Sequence, residues 1–297
     1  MSVVIPTTGR PTLMRAVRSA LAQSVPVTEV IVVADGNAAV TLPDDDRIRL
    51  LSNGSQGGAA RCRQVGIDAA RGAVIALLDD DDEWVDTKLE RQLAGVRSGP
   101  GVHWIASSRI CVHGPGSRRR VWPRHLIEPG QMITDYLYRV GSVRRGEAVL
   151  QTSTLCFPTD LAHRVRWDRH ADAVHDESSW LIAVQREIPD LQVWQSADVL
   201  SIYDVGAQSV SRDPRDRVDE YIEWGLEYLG SESARVRGDY LCSSPVSAAV
   251  SAGVLSGVLR SVRAALRHGR PGPIALGYAG LSAVRIVLRK SVTAFRR

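Results

Sequence analysis

Four consecutive aspartates, Asp79 to Asp82, follow the most apolar run of the chain, Ala73-Val74-Ile75-Ala76-Leu77-Leu78. A short apolar run of this kind reads as a buried strand, so several carboxylates stand together at one edge of a sheet. Their mutual repulsion is costly unless a cation accompanies them. A hard divalent metal, Mg2+ or Mn2+, prefers oxygen ligands. It commonly binds through one or two carboxylates plus substrate phosphates, leaving room for a diphosphate on the same ion. The competing reading of the run is a solvated acidic turn that caps a helix beginning near Trp84.

The elements that would position this run alternate. Val3-Val4-Ile5-Pro6 reads as a strand, and residues 11–23 as a helix with Leu13, Val17 and Leu21 on one face. Val30-Ile31-Val32-Val33 is a second strand ending at the turn Asp35-Gly36-Asn37, and residues 47–52 a third. Residues 57–72 are an alanine-rich helix leading into the apolar strand. Strands alternating with helices imply a parallel sheet covered on both faces, with ligands beyond the carboxyl ends of the strands. Those ends carry Thr7-Thr8, Asp35 and Asp79 to Asp82. After Trp84 comes a loop-rich region with Gly99-Pro100-Gly101 and the basic Arg118-Arg119-Arg120, read as a solvated loop. A second compact zone spans 151–211, and from Arg212 the chain reads as helical, with Pro271-Gly272-Pro273 dividing the last two helices.

Four ordered blocks carry a family resemblance. They are Val3-Val4-Ile5-Pro6-Thr7 with Gly9-Arg10-Pro11; Ile31-Val32-Val33-Ala34-Asp35-Gly36; Gly66-Ile67-Asp68-Ala69-Ala70-Arg71-Gly72; and Leu78-Asp79-Asp80-Asp81-Asp82-Glu83-Trp84 with Lys88-Leu89-Glu90. The pattern resembles glycosyltransferase family 2, closely over residues 2–95 and loosely over 150–211. The resemblance implies an α/β GT-A (Rossmann-like) fold, a mostly parallel sheet flanked by helices, with a C-terminal helical extension. It further implies a nucleotide-diphosphate sugar donor, a glycan or lipid-linked acceptor, a DxD metal motif binding Mg2+ or Mn2+, and inversion at the anomeric carbon. Residues 1–211 would form the transferase domain, 1–104 holding the donor and 105–211 the acceptor, and 212–297 the extension.

The same resemblance places Pro6, Thr7, Thr8 and Arg10 against the nucleotide sugar, with Asp35 accepting a hydrogen bond from the base. Ala34 stands where many members have a first aspartate. An arginine facing the diphosphate is Arg63 or, with a shifted register, Arg61, and Arg63 is preferred because Gly66 then falls correctly. Trp84 fixes the register of the acidic run: Asp79 and Asp81 form DxD, Asp81 is the metal ligand, Asp79 or Asp80 lies near the ribose, and Asp82 backs them. In the acceptor half, Gln151-Thr152-Ser153-Thr154-Leu155-Cys156-Phe157 resembles the strand before the acceptor site. Val165-Arg166-Trp167-Asp168 resembles the segment preceding the catalytic helix. Asp176 then becomes the catalytic base, with Glu177 as the fallback; the competing reading is that His175, Asp176 and Glu177 merely open the helix 178–186. Residues 203–211 resemble a closing loop in which Gly206 replaces a histidine.

Composition limits the alternatives. With 44% hydrophobic residues in 297, the chain can bury a large core. A net charge of +4 does not call for nucleic acid. Cys62, Cys111, Cys156 and Cys242 lack C-x-x-C spacing, so reduced thiols in a cytoplasmic setting are expected. No signal peptide and no spanning segment are expected. The segment 274–297 pairs Leu276, Leu281, Val284, Leu288 and Val292 with Arg285, Arg289, Lys290, Arg296 and Arg297. It reads either as a basic amphipathic helix peripheral to the inner face of the membrane or as a helix packed on the main domain or a second copy. Two other functions compete: a non-catalytic nucleotide-sugar-binding module, suggested by Ala34, Gln64 and Gly206, and a sugar nucleotidyltransferase, for which Pro6 to Pro11 is too poor in glycine.

Overall fold

The computed structural model describes residues 1–54, 56–96, 102–114, 119–144, 146–171, 173–204 and 215–295. The chain forms two compact units, Met1–Gln131 with Ala148–Gly206, and Met132–Glu147 with Ala207–Arg297.

The first unit begins with β1 (Ser2–Thr7), α1 (Leu13–Leu21), β2 (Glu29–Ala34), β3 (Ile48–Ser52), α2 (Gly58–Ala69) and β4 (Val74–Leu77). Every residue of β1 and β2 is buried, which is why both read as unbroken apolar runs rather than as alternating ones. These four strands pair in parallel, and the register sets Thr7 beside Ala34 and Val4 beside Leu77. The carboxyl ends that carry the polar residues therefore lie along one edge. The helix α1 buries Leu13, Ala16, Val17 and Ala20 against this sheet. In α2 a Cβ on Gly66 would stand 2.4 Å from Cγ1 of Val4, so only glycine allows the helix to approach β1 this closely.

The unit continues with β5 (Glu83–Trp84), α3 (Lys88–Gly95), β6 (Trp104–His113) and β7 (Arg120–Trp122). The expected helix near Trp84 is corrected by β5. Trp84 is buried and donates Nε1 to the carbonyl of Ser153 at 2.6 Å, which pins the segment as a strand against the later chain. The helix starts only at Lys88. The region expected to be loop-rich instead holds the ten-residue β6, whose apolar pattern is interrupted by the buried Ser107 and Ser108. Arg120 lies in β7 rather than in a loop, and Arg118 falls outside the described residues.

In the second unit, α4 (Ile133–Tyr138) packs with the carboxy-terminal helices. The first unit resumes with β8 (Cys156–Pro158), α5 (Thr159–Arg164), α6 (Asp176–Glu187) and β9 (Gln192–Asp204). The expected strand over 151–157 is shorter than its polar opening suggests, because Thr152–Thr154 form a single 3-10 turn before β8. The described strands form one sheet in the order β3-β2-β1-β4-β8-β6-β9-β5, with β7 beside β6. Pairing is parallel through β4, antiparallel at β8, and parallel again between β6 and β9. Of the closing loop expected over 203–211, Tyr203 and Asp204 end β9, and residues 205–211 with Gly206 lie outside the described residues.

The remaining helices of the second unit are α7 (Val218–Tyr228), α8 (Ala234–Leu241), α9 (Ser244–Ala252), α10 (Leu255–His268) and α11 (Pro273–Phe295). The helix expected over 246–268 is broken at Gly253, whose φ of 70° is the left-handed conformation that ends α9. Tyr138 of α4 meets Trp224 and Tyr240 edge-on at 5.6 and 5.0 Å. Among the described residues no helix is long and apolar enough to cross a membrane.

Candidate active site

The carboxyl ends of β1 and β4 bring the loop Thr7 to Arg10 onto the acidic run. Thr7 Oγ1 donates to Asp80 Oδ2 at 2.6 Å, and the Thr8 backbone N–H also reaches the Asp80 carboxylate. Arg10 lies 2.6 Å from Asp81 Oδ2 and 3.4 Å from Asp80 Oδ1. Pro6 sits inside β1 beside Val33 and shapes the strand end. Burial, and then the neighbouring Asp79, push the Asp81 carboxyl above the usual carboxylate range; burial does the same to Asp80 against the pull of Thr7 and Arg10. Asp82 is pushed up to about 8, by burial first and the Asp79 charge second. The run is thus a set of crowded, electrostatically uncomfortable oxygens, as its position after a buried strand requires.

Asp35 is bonded to the start of α2 rather than to the acidic run. Its carboxylate accepts from Asn53 Nδ2 at 2.7 Å and from the backbone N–H groups of Gly57 and Gly58 at 2.8 and 3.2 Å. Burial works against its charge, but these donors outweigh burial and hold its pKa below the ordinary value. Nothing in the spacing of Asn53, Gly57 and Gly58 pointed to this use.

Arg63 occupies the centre. Its guanidinium donates to Asp79 Oδ1 at 2.7 Å and to Asp176 Oδ2 at 2.9 Å, and it lies over the Trp167 ring at 5.4 Å. Burial opposes its charge, and Asp79 and then Asp176 more than offset that, so the guanidinium is held firmly protonated. Of the two arginines considered for this block, Arg63 is the buried one and Arg61 faces solvent. Asp176 opens α6, a position where a carboxylate also suits the helix N-terminus. Trp167 Nε1 donates to the same Oδ2 at 3.2 Å, and the Trp167 ring stacks on Trp180 at 4.4 Å, so an aromatic pair fixes the carboxylate from behind. Oδ1 of Asp176 accepts no hydrogen bond among the described residues.

The neighbouring Glu177 differs. Its carboxyl is withdrawn into the protein against Thr152 Oγ1, although the residue keeps some exposed surface, and burial pushes its pKa up to about 8. Thr152, Ser153 and Gln151 are participants whose roles were not legible in the sequence. Ser153 Oγ donates to Asp82 at 2.6 Å and accepts the Asp79 backbone N–H at 3.0 Å; Gln151 Nε2 reaches Asp82 at 2.7 Å. The available signal was four successive polar residues, Gln151 to Thr154, directly before the apolar Leu155-Cys156-Phe157, since buried polar side chains need partners.

Among the described residues no three His, Cys, Asp or Glu side chains are grouped to hold a metal on their own. The donor set nevertheless suits a hard divalent ion, because Mg2+ and Mn2+ take one or two carboxylates and complete their shell with water and phosphate oxygens. The crowded oxygens of Asp80, Asp81 and Asp82, raised in pKa by burial and by neighbouring carboxylates, are the chemistry a cation relieves.

Residues 2–150 match the model of "Glycosyl transferase family 2". The chain belongs to that family. Its sheet flanked by helices has the GT-A fold, and the C-terminal region is helical. The succinoglycan biosynthesis protein ExoO of Rhizobium meliloti is 41% identical over 88 residues, 28% of this chain and 25% of that protein. WfaP of Escherichia coli, a UDP-Glc:alpha-D-GlcNAc-diphosphoundecaprenol beta-1,3-glucosyltransferase, is 35% identical over 89 residues, 28% of this chain and 36% of that protein. The alignments to ExoO, to WcaA of Escherichia coli and to AmsB of Erwinia amylovora span 25%, 57% and 42% of those proteins' own lengths. Among solved structures, the mannosyltransferase PcManGT of Pyrobaculum calidifontis, in complex with GDP-Man and Mn2+, has a TM-score of 0.55 at 16% identity, covering 95% of this chain and 79% of its own. This likeness is one of fold.

Proposed function

We propose that this chain transfers a sugar from a nucleotide-diphosphate donor to an acceptor hydroxyl with inversion, in the assembly of a bacterial polysaccharide or glycolipid. The observation that carries the proposal is the Arg63 bridge: one buried cation joins Asp79, at the donor end of β4, to Asp176, at the start of α6. In this reading donor-side and acceptor-side groups meet at that side chain, which supports a direct displacement between them.

In this reading Pro6, Thr7, Thr8 and Arg10 border the nucleotide sugar, Asp35 lies toward the base and Asp79 or Asp80 toward the ribose. Asp81 would hold a divalent Mg2+ or Mn2+, which would supply neutralising charge to the diphosphate. Arg63 lends positive potential to the same region and donates a hydrogen bond to Asp176. The acceptor oxygen attacks the anomeric carbon from the face opposite the diphosphate, its proton passes to the Asp176 carboxylate, and the carbon–oxygen bond to the diphosphate breaks with its electron pair leaving on the phosphate oxygen. A carboxylate is a sufficient base, and one base completes the minimal set. The donor and acceptor in WfaP's name make UDP-glucose and an undecaprenyl-diphosphate-linked sugar the first pair to try.

Asp176→Asn keeps the size and removes the base. Transfer is expected to fall by about 100-fold or more while donor binding holds. Glu177→Gln should do much less, because Glu177 already carries a proton near neutrality. Release of nucleoside diphosphate from UDP- and GDP-sugars, with calorimetric donor affinity, reads both. Transfer near the parent rate in the Asp176 variant would refute the assignment, and the opposite ranking would move the base to Glu177. Donor binding without any turnover by the parent chain would favour the binding-module reading.

A further inference from the structure

The helix α11 is built inside out. Its buried face holds Ala275, Ala279, Ser282 and Ile286, while Leu281, Val284, Val287 and Leu288 are 62%, 55%, 48% and 61% exposed. Leu281, Val284 and Leu288 recur at three- and four-residue spacing, so they share one face. The preceding α10 repeats the arrangement: Gly257, Val258, Ser261 and Ala265 are buried, and Leu259 and Leu266 are 56% and 62% exposed. A helix in water places its large apolar residues inward and its small ones outward. Both helices bury mostly small residues beside Val258 and Ile286 and leave their leucines exposed, and apolar exposure of this kind marks an interaction surface.

The charge beside this surface names the occupant. After Asp239 the sequence contains nine Lys or Arg and no Asp or Glu. Arg263 and Arg267 are exposed on α10, and Arg285 on α11. A second copy pairing through this face would bring arginine toward arginine, with no acidic residue on either helix to answer it. An anionic lipid surface answers both features at once, taking the leucines and valines into its headgroup boundary and the arginines against its phosphates.

We infer that α10 and α11 form a peripheral docking surface for an anionic bilayer, with the exposed Leu281–Leu288 stripe as the inserting element. The inference stands on the helical unit alone and is independent of the transfer reading.

The full chain is sedimented with vesicles of phosphatidylcholine, pure or doped with phosphatidylglycerol, at low and high salt. Binding is expected to the doped vesicles only, weakening as salt screens the charge. Leu281→Ser with Leu288→Ser should weaken binding by more than about tenfold. Arg267→Gln with Arg285→Gln should weaken it by roughly 30-fold. All four side chains are exposed, so thermal melting should be unchanged and the variants stay folded. Absence of vesicle binding overturns the proposal, as does equal binding to pure phosphatidylcholine. A concentration-dependent dimer, lost in the leucine variant and unaccompanied by vesicle binding, would assign the face to a second copy. Donor turnover with a water-soluble acceptor should be the same in every variant, so failure here and failure of the transferase reading give different results.

Discussion

Asp176 and Glu177 are adjacent acids held in different ways. Asp176 shares Arg63 and Trp167 Nε1, while the Glu177 carboxyl is enclosed against Thr152 and pushed up to about 8 from an ordinary 4.5. The folded chain therefore keeps a proton on Glu177 that the unfolded chain releases. That contribution to stability is complete below about pH 4.5 and is lost as pH rises toward 8. Glu177→Gln removes the dependence, so its urea midpoint should gain on the parent's steadily across that window; a constant offset between the two would contradict a buried, protonated Glu177. The sequence disclosed which residue types carry the chemistry, because carboxylates crowded at the end of an apolar strand are costly to keep without a ligand that needs them. It could not disclose how they are held. Ser153 reaches Asp82 from 71 positions away, and Arg63 reaches Asp176 from 113, and such pairings leave no trace in local spacing.

Elements followed the same division. The strands β1, β2 and β4 were legible because parallel strands buried on both faces are continuous apolar runs. The strand β6 was not, since Ser107, Ser108 and Arg109 break its pattern and are accommodated by partners elsewhere: Ser107 Oγ meets Thr154 Oγ1 at 2.7 Å. The strand β5 is two residues long and exists because β9 pairs with it, with Glu83 beside Ile202 and Trp84 beside Ser201. Within the legible half, the tightest seam is α2 on β1. Gly66→Ala would drive a methyl group into Val4, whose Cγ1 lies 2.4 Å from the new carbon, and a further contact waits at Val33. Overpacking of this kind should cost about 1–3 kcal/mol in urea denaturation. Because α2 also carries Arg63, donor affinity should fall with it; an unchanged midpoint would show that the helix shifts freely.

Across the whole molecule, ligand binding should register as stability. A nucleoside diphosphate present at about 100 times its dissociation constant adds about 2.7 kcal/mol to the folded state, a rise of several degrees in melting temperature. With Mn2+ added, that rise should grow in the parent and not in Asp81→Ala. A metal increment that survives in the variant would remove Asp81 as the ligand. The Arg63 bridge also bears on how the molecule is made. Its two ion pairs close stretches of 16 and 113 residues, and closing long stretches costs chain entropy that only later contacts offset. The site cannot be assembled from either half by itself: α2 must already be packed on the sheet that holds β4, and α6, more than a hundred residues later, must arrive before Arg63 has both partners. During refolding, recovery of turnover therefore marks completion of the first unit, and it should lag behind the return of helical signal, which local segments supply early.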